Sequence, residues 1–164
     1  MKRMTFLVLA LVTTFSSLLA QRPSPEATSE GTIGAAKVKI VYSQPSARGR
    51  KVMGELVPFG AVWRTGANAR TSFEISKPVK IEGKDLAAGK YSIFTIPGES
   101  EWTIIFNKDL KSSYSDYKKE DDVLRVNVKS TKISDFVETF NISVGKDEVQ
   151  MKWENTAVAF KVKG

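Results

Sequence analysis

The 164-residue sequence has no cysteine and no histidine. The first absence removes disulfides, thiolate zinc sites, iron–sulfur ligation and a thiol nucleophile. The second removes the usual general base, the Ser-His-Asp triad and nearly every catalytic zinc site. There is also no apolar run of the ~20 residues that a spanning helix needs, no internal repeat and no strand–helix alternation. The last of these argues against a doubly wound nucleotide-binding fold. Site chemistry is left to Arg, Lys, Asn, Tyr and carboxylates, and neither a cofactor nor a metal is expected.

What is present begins with a secretory signal pattern. Lys2 and Arg3 form a basic n-region. Phe6 to Phe15 is apolar except for Thr13 and Thr14, and Leu18-Leu19-Ala20 places a small residue before Gln21. Leu18 is a weak match to the small residue favoured three places before the cut, so cleavage is expected near Ala20. An N-terminal anchor or a buried strand is the competing reading, and the length and flanks of the run disfavour it. No Cys follows the run, which excludes lipoprotein anchoring. The expectation is export to the periplasm or the extracellular space.

The 25 Lys and Arg against 18 Asp and Glu give +7. Losing Lys2 and Arg3 with residues 1–20 takes two cations from that +7, leaving +5 on the mature chain. That excess serves solubility and gives no reason to expect nucleic acid as a partner. A mature chain of this size builds one core, burying roughly two-thirds of its unfolded surface. Three segments are expected: a signal peptide over 1–20, a flexible leader over 21–31 rich in Pro, Ser, Thr and Glu, and one domain over 32–164. No feature specifies an oligomeric state.

From Lys37 onward the apolar period is two, the signature of strands. Val38, Ile40 and Tyr42 alternate with polar or smaller neighbours, as do Phe73 and Ile75, and Trp102, Ile104 and Phe106. The same holds for Leu124–Val128, Phe140–Val144, Val149–Trp153 and Val158–Val162. Tyr91 to Ile96 is apolar on both faces and should be central. Turn chemistry separates these runs at Glu82-Gly83, Ala88-Gly89, Pro97-Gly98 and Gly145-Lys146-Asp147. About nine short strands predict an all-β fold, a single-domain antiparallel β-sandwich or jelly roll with little helix. Single helical turns are conceivable over 50–56 and 114–122, without an amphipathic stripe.

Most local motifs are coincidences. Tyr114 and Lys118 have the Tyr-x-x-x-Lys spacing of short-chain dehydrogenases, but no Gly-rich strand-to-helix turn accompanies them. Ser115 and Lys118 have Ser-x-x-Lys spacing, but the partner motifs of penicillin-recognising enzymes are absent. Glu120, Asp121 and Asp122 lack a calcium-loop glycine pattern and read as a solvated charge run.

The informative stretch runs from Tyr42 to Arg70. It does not alternate, and it carries Arg48, Arg50, Arg64 and Arg70, four of the six arginines after residue 20, against the single acid Glu55. A long loop on a rigid sheet is where sites tend to lie. Arg presents a fixed fork for carboxylate or phosphate, and Asn68 adds amide donors and acceptors. The functional reading is a small anionic or carbohydrate ligand held by Arg48, Arg64 and Asn68, with Trp63 as an apolar platform. By strand parity Asn107 and Glu154 point away from Phe106 and Trp153 and would join them under the loop. The plain alternative is that Arg48 and Arg64 pair with Glu74, Glu138 or Glu154 to tie the loop down, while Trp63 and Phe59 are core.

The blocks YSQPSARGRKVMGELVPFGAVWRTGANA, VKIEGKDLAAGKYSIFTIPGESEWTIIFNKD, DVLRVNV and MKWENTAVAFKV resemble, in order, the bacterial family catalogued as domain of unknown function 2911. The resemblance covers about residues 32–163. It is carried by Ser43, Pro45, Gly49, Arg50, Trp63, Arg64, Thr65, Gly66, Asn68, Gly89, Tyr91, Pro97, Trp102, Asn107, Lys108 and Trp153. It implies a secreted protein of the kind common in Bacteroidetes-type bacteria and a domain boundary, but no catalytic residues. The chain departs from the family pattern at Leu110 to Ser115, where members often carry a Trp-Gly-containing stretch.

Three function classes follow. The leading one is a noncatalytic exported binding module with its site at the Arg-rich loop. The second is a hydrolase or lyase using carboxylate and arginine chemistry, which needs Glu138 or Glu154 facing an Arg-lined pocket. The third is an envelope-associated structural or interaction protein, which needs an exposed apolar patch.

Overall fold

The computed structural model describes residues 24–110 and 117–164. The signal segment, the first residues of the leader, Tyr114, Ser115 and the family departure at 111–115 lie outside the described residues.

Period-two runs become strands throughout: β1 (Glu26–Ile33), β2 (Ala36–Ser43), β3 (Thr71–Ile75), β4 (Val79–Ile81), β5 (Lys84–Leu86), β6 (Gly89–Ile96), β7 (Glu101–Asn107), β8 (Asp122–Val144) and β9 (Glu148–Lys163). All pair antiparallel in one sheet of order β1-β2-β3-β6-β7-β8-β9-β4-β5. Among the described residues helix is confined to one 3-10 turn, Lys119–Asp121. The turn expected over 50–56 is a series of hydrogen-bonded turns instead, with Leu56 N–H donating to Lys51 O and Val57 N–H to Val52 O.

Strands distant in that order meet through their aromatic side chains. Phe73 on β3 and Phe106 on β7 both lie against Phe160 on β9, at centroid separations of 6.3 and 5.7 Å. Tyr42 on β2 meets Phe140 on β8 edge-on at 5.8 Å. The sheet therefore folds back on itself and encloses one core between two layers, which is the expected all-β sandwich. The fold-over is made by β8. Up to Lys129 it pairs with β7, and from Ser130 it pairs with β9. Register shifts between Lys132 and Asn141 let it bend between the layers.

The strand count is met by a different partition from the one expected. The runs at 124–128 and 140–144 are one continuous strand, and so are those at 149–153 and 158–162. The short run Val79–Ile81 before the Glu82-Gly83 turn forms β4, and two unexpected strands, β1 and β5, make up the number.

β1 corrects the reading of 21–31 as a flexible leader, because the strand begins at Glu26 and pairs with β2 from Glu26↔Ser43 to Ile33↔Ala36. Its inward row is Ala27, Ser29 and Gly31, too small and polar to register as a strand face. These residues are small because β1 lies directly against β8. The Ser29 hydroxyl accepts the Val144 N–H at 3.1 Å, and a Cβ on Gly31 would fall 2.6 Å from Val144 Cγ1.

β6 is central, as expected, between β3 and β7. Its second apolar face is covered on the outside. Phe94 packs against the Tyr117 ring at 4.9 Å, and the Arg70 guanidinium sits 5.0 Å over the Phe94 ring.

Candidate functional site

The 44–70 segment crosses one end of the sandwich and is bonded to both layers. On the β8–β9 layer, Ala47 N–H donates to Glu138 O and Phe140 N–H to Pro45 O. The Glu138 carboxylate accepts the Arg48 amide at 2.8 Å. On the other layer Trp63 and Thr95 exchange backbone hydrogen bonds of 2.7 and 2.9 Å, so the loop extends the sheet beyond the point where β3 stops. Ala47, Val52, Met53 and Val57 turn inward and are buried, plugging the end of the core.

Among the described residues, four of the five non-glycine positions with positive φ belong to this assembly: Arg48 (53°), Thr65 (58°), Asn68 (54°) and Glu154 (56°). A β-branched Thr in that region is a true outlier and must be held there by its surroundings. Thr65 is fully buried. Its hydroxyl hydrogen-bonds the Thr95 hydroxyl at 3.2 Å, and its carbonyl accepts the Thr71 hydroxyl at 2.6 Å. Gly66, at φ 154°, passes so close to β2 that a Cβ would sit 3.0 Å from Ser43 O.

The arms of the loop, with Ser24 and Trp153 of β9, line a cavity of about 560 Å³. Arg48, Arg50, Arg64 and Asn68 line it together with Trp63 and Trp153, and among the described residues no Asp or Glu lines it. Trp63 is half-buried. It stacks on Trp153 at 5.8 Å with an interplanar angle of 20° and contacts Trp102 and Phe140 edge-on. It is thus both a core residue and a cavity wall, and the two readings of Trp63 are not exclusive. Phe59 is partly exposed and lies over Gly54, where a Cβ would meet its ring at 2.9 Å.

The sequence-derived residues separate into two groups. Arg48, Arg64 and Asn68 converge on the cavity. Arg64 Nη1 donates to Asn68 O at 3.2 Å, and Asn68 Nδ2 donates to Ser24 O at 3.2 Å. Asn107 and Glu154 do not join them, which corrects the expectation of a five-residue cluster. Asn107 is buried at the end of β7, where its amide donates to Lys118 O and Asp122 Oδ1 and its oxygen accepts the Asp109 amide. It fastens the 108–122 connection. Glu154 accepts the Val52 and Met53 amides at 3.3 and 3.2 Å. Parity failed there because the backbone turns left-handed at Glu154. The buried row shifts from odd to even positions, from Trp153 to Val158.

Two of the carboxylates expected to tie the loop down do so. Glu138 and Glu154 hold the loop through its backbone amides. The loop's one acid, Glu55, pairs with Lys51 at 3.6 Å, both side chains well exposed. Arg50 folds back, with Nε and Nη2 donating to Ala47 O and Ser46 O at 2.9 Å each. Arg70 belongs elsewhere: its side chain is nearly buried, and Nη1 donates to Asp109 O at 2.9 Å.

Sequence reasoning expects Trp63 at the site as an apolar platform, but does not single out Arg50, Trp153 or the apolar stretch 56–62 as site residues. For Arg50 the signal was present in its spacing from Arg48. Trp153 reads as core on parity alone.

A family model described as "Protein of unknown function (DUF2911)" matches residues 24–162. The chain belongs to this family. The DUF2911 match starts at Ser24, two residues before β1, so the family domain includes the strand whose side chains do not announce it. No curated protein and no solved structure matches the chain. Among the described residues, no group of three Asp or Glu is placed to hold a metal ion, and no helix is long and apolar enough to cross a membrane.

Proposed function

We propose that this DUF2911 domain is a noncatalytic binding module for a small anionic ligand, seated in the cavity under the 44–70 loop. The observation that carries this reading is the convergence of Arg48, Arg50, Arg64 and Asn68 on one concavity that no carboxylate lines among the described residues. Guanidinium groups fixed by backbone contacts suit carboxylate or phosphate oxygens, and a strained, heavily bonded loop keeps them in place before the ligand arrives. A cavity of about 560 Å³ falls within the roughly 300–1,000 Å³ of small-molecule sites.

The anionic half of the expected ligand class is favoured over the neutral-sugar half. Sugar hydroxyls are donors as well as acceptors, and among the described lining residues there is no Asp or Glu to accept from them. The hydrolase or lyase reading required Glu138 or Glu154 at the cavity, and both are engaged with loop amides outside its lining. The N-terminal signal pattern supports export to the periplasm or extracellular space as a protein without a lipid anchor, and the modest positive charge gives nucleic acid no particular surface.

The test is calorimetric titration of a panel of organic and inorganic anions and neutral oligosaccharides, with Arg64→Ala as control. Loss of at least tenfold in affinity for the bound anion, at unchanged melting temperature, is the expected result. Ligands that bind equally to Arg64→Ala, or a variant that only loses stability, would refute the site.

A further inference from the structure

The cavity wall is divided by chain segment, and the division specifies the ligand more closely than charge alone. Leu56, Val57, Pro58, Ala61, Val62 and Trp63 all line it, so the whole contribution of the 56–63 arm is apolar. Every charged or amide side chain comes from the two flanking arms, through Arg48 and Arg50 on one and Arg64 and Asn68 on the other. The apolar arm is anchored. Gly60 N–H donates to Pro97 O at 2.8 Å, Trp63 is bonded to Thr95, and Val57 is buried in the plug. Trp63 is backed by Trp153 nearly in parallel, so its plane is set by stacking. The rim beyond it is apolar too, since Leu56 is 40 % exposed and Phe59 39 %.

An inorganic anion would use the cations and leave this wall against water. A sugar acid would place hydroxyls against it, where no carboxylate or amide answers them. Burying apolar ligand surface against the wall contributes about 25 cal/mol per Å², and the arginines fix the orientation of one charged end.

Resting on the anion-binding reading above, we propose that the ligand is an amphipathic organic anion: a flat or compact apolar body laid on the 56–63 arm and Trp63, with a single carboxylate or phosphate head toward Arg48 and Arg64. The ligand recognised by this chemistry is an aryl or alicyclic acid or its phosphate ester, and the two head groups are separated by the probes below.

Calorimetry on the full mature chain uses 1-naphthoate, 1-naphthyl phosphate, inorganic phosphate, galacturonate and the neutral 1-naphthalenemethanol. The expected result is that one of the two naphthyl anions binds at least tenfold more tightly than inorganic phosphate, galacturonate and the neutral alcohol. Whichever naphthyl anion is tighter identifies the head group. Leu56→Ser, a change at a partly exposed rim position, should weaken the naphthyl anion severalfold and leave the melting temperature within a degree or two. Arg64→Ala should weaken every anion.

Phosphate or galacturonate binding as tightly as the naphthyl anions, with loss in Arg64→Ala, would overturn the amphipathic ligand while leaving the anion site standing. Equal binding of the neutral alcohol would overturn both, and so would the absence of any Arg64-dependent binding.

Discussion

Glu154 shows how one side chain can hold a loop without touching a ligand. Its carboxylate takes the Val52 and Met53 amides, and its backbone adopts φ 56°. Hydrogen bonds to a charged acceptor contribute about 1.5–3 kcal/mol, and a left-handed non-glycine residue costs roughly 1–2 kcal/mol. Glu154→Ala should therefore destabilise the fold by about 1–3 kcal/mol in denaturant melts, and Glu154→Gly should be the milder change because it relieves the backbone. An Ala variant as stable as the wild type would show that the loop is held by other contacts.

Tyr117 is the second residue with a measurable signature. Burial, then the hydrogen bond to Asp122, pushes its phenol up to about 12, while Arg125 partly opposes the shift. The folded value lies above the unfolded value near 10, so the folded chain favours the protonated phenol. Its contribution to stability is complete below pH about 10 and fades as pH rises toward 12. Melting temperature should fall over that window, and Tyr117→Phe should fall less steeply. Tyr91, also raised by burial, remains in both proteins and supplies the common background. Parallel curves would remove Tyr117 from the account.

At the level of elements, legibility followed side-chain size. β2, β3, β6 and β7 are readable because large apolar residues alternate with Lys, Glu, Ser and Thr. β1 is not, because its inward row is Ala27, Ser29 and Gly31, chosen for closeness to β8 and not for burial of apolar surface. Gly31→Val should drive a branched side chain into Val144 and cost about 1–3 kcal/mol or more. A neutral result would mean that β1 does not dock against β8. The joins of β8 and β9 were also hidden. A sequence period reports faces, and a bulge or a positive-φ residue such as Glu154 changes the face without ending the strand.

At the scale of the whole molecule, the absence of Cys leaves the domain to be held by packing and by loop anchoring, and both are visible. Aromatic contacts among Tyr42, Trp63, Phe140 and Trp153 and among Phe73, Phe106 and Phe160 fill the core, and the Arg-rich loop is fastened to each sheet layer through its backbone. That anchoring separates the arginines by role. Arg70 packs over Phe94, while Arg48, Arg50 and Arg64 line the cavity, Arg50 with its guanidinium bonded back onto its own turn. Residue type and concentration in one loop were legible in the sequence. The split was not, because it depends on the backbone path of the loop between the two layers. Asn107 and Glu154 were misplaced for different reasons: Asn107 fastens the 108–122 connection, away from the loop, and Glu154 meets the loop only at the Val52 and Met53 amides, outside the cavity lining.

The central claim is that the cavity beside Trp63 accepts an anion. Its most direct measurement is a two-dimensional NMR titration of the labelled mature chain with 1-naphthoate, following the three Trp indole N–H signals and the Asn68 side-chain amide. The account predicts saturable shifts concentrated on Trp63 and Asn68, abolished in Arg64→Ala, with the Asn107 amide unmoved. Shifts confined to the lysine-bearing outer face of β2 around Lys37 and Lys39, or spread evenly and persisting in Arg64→Ala, would contradict it.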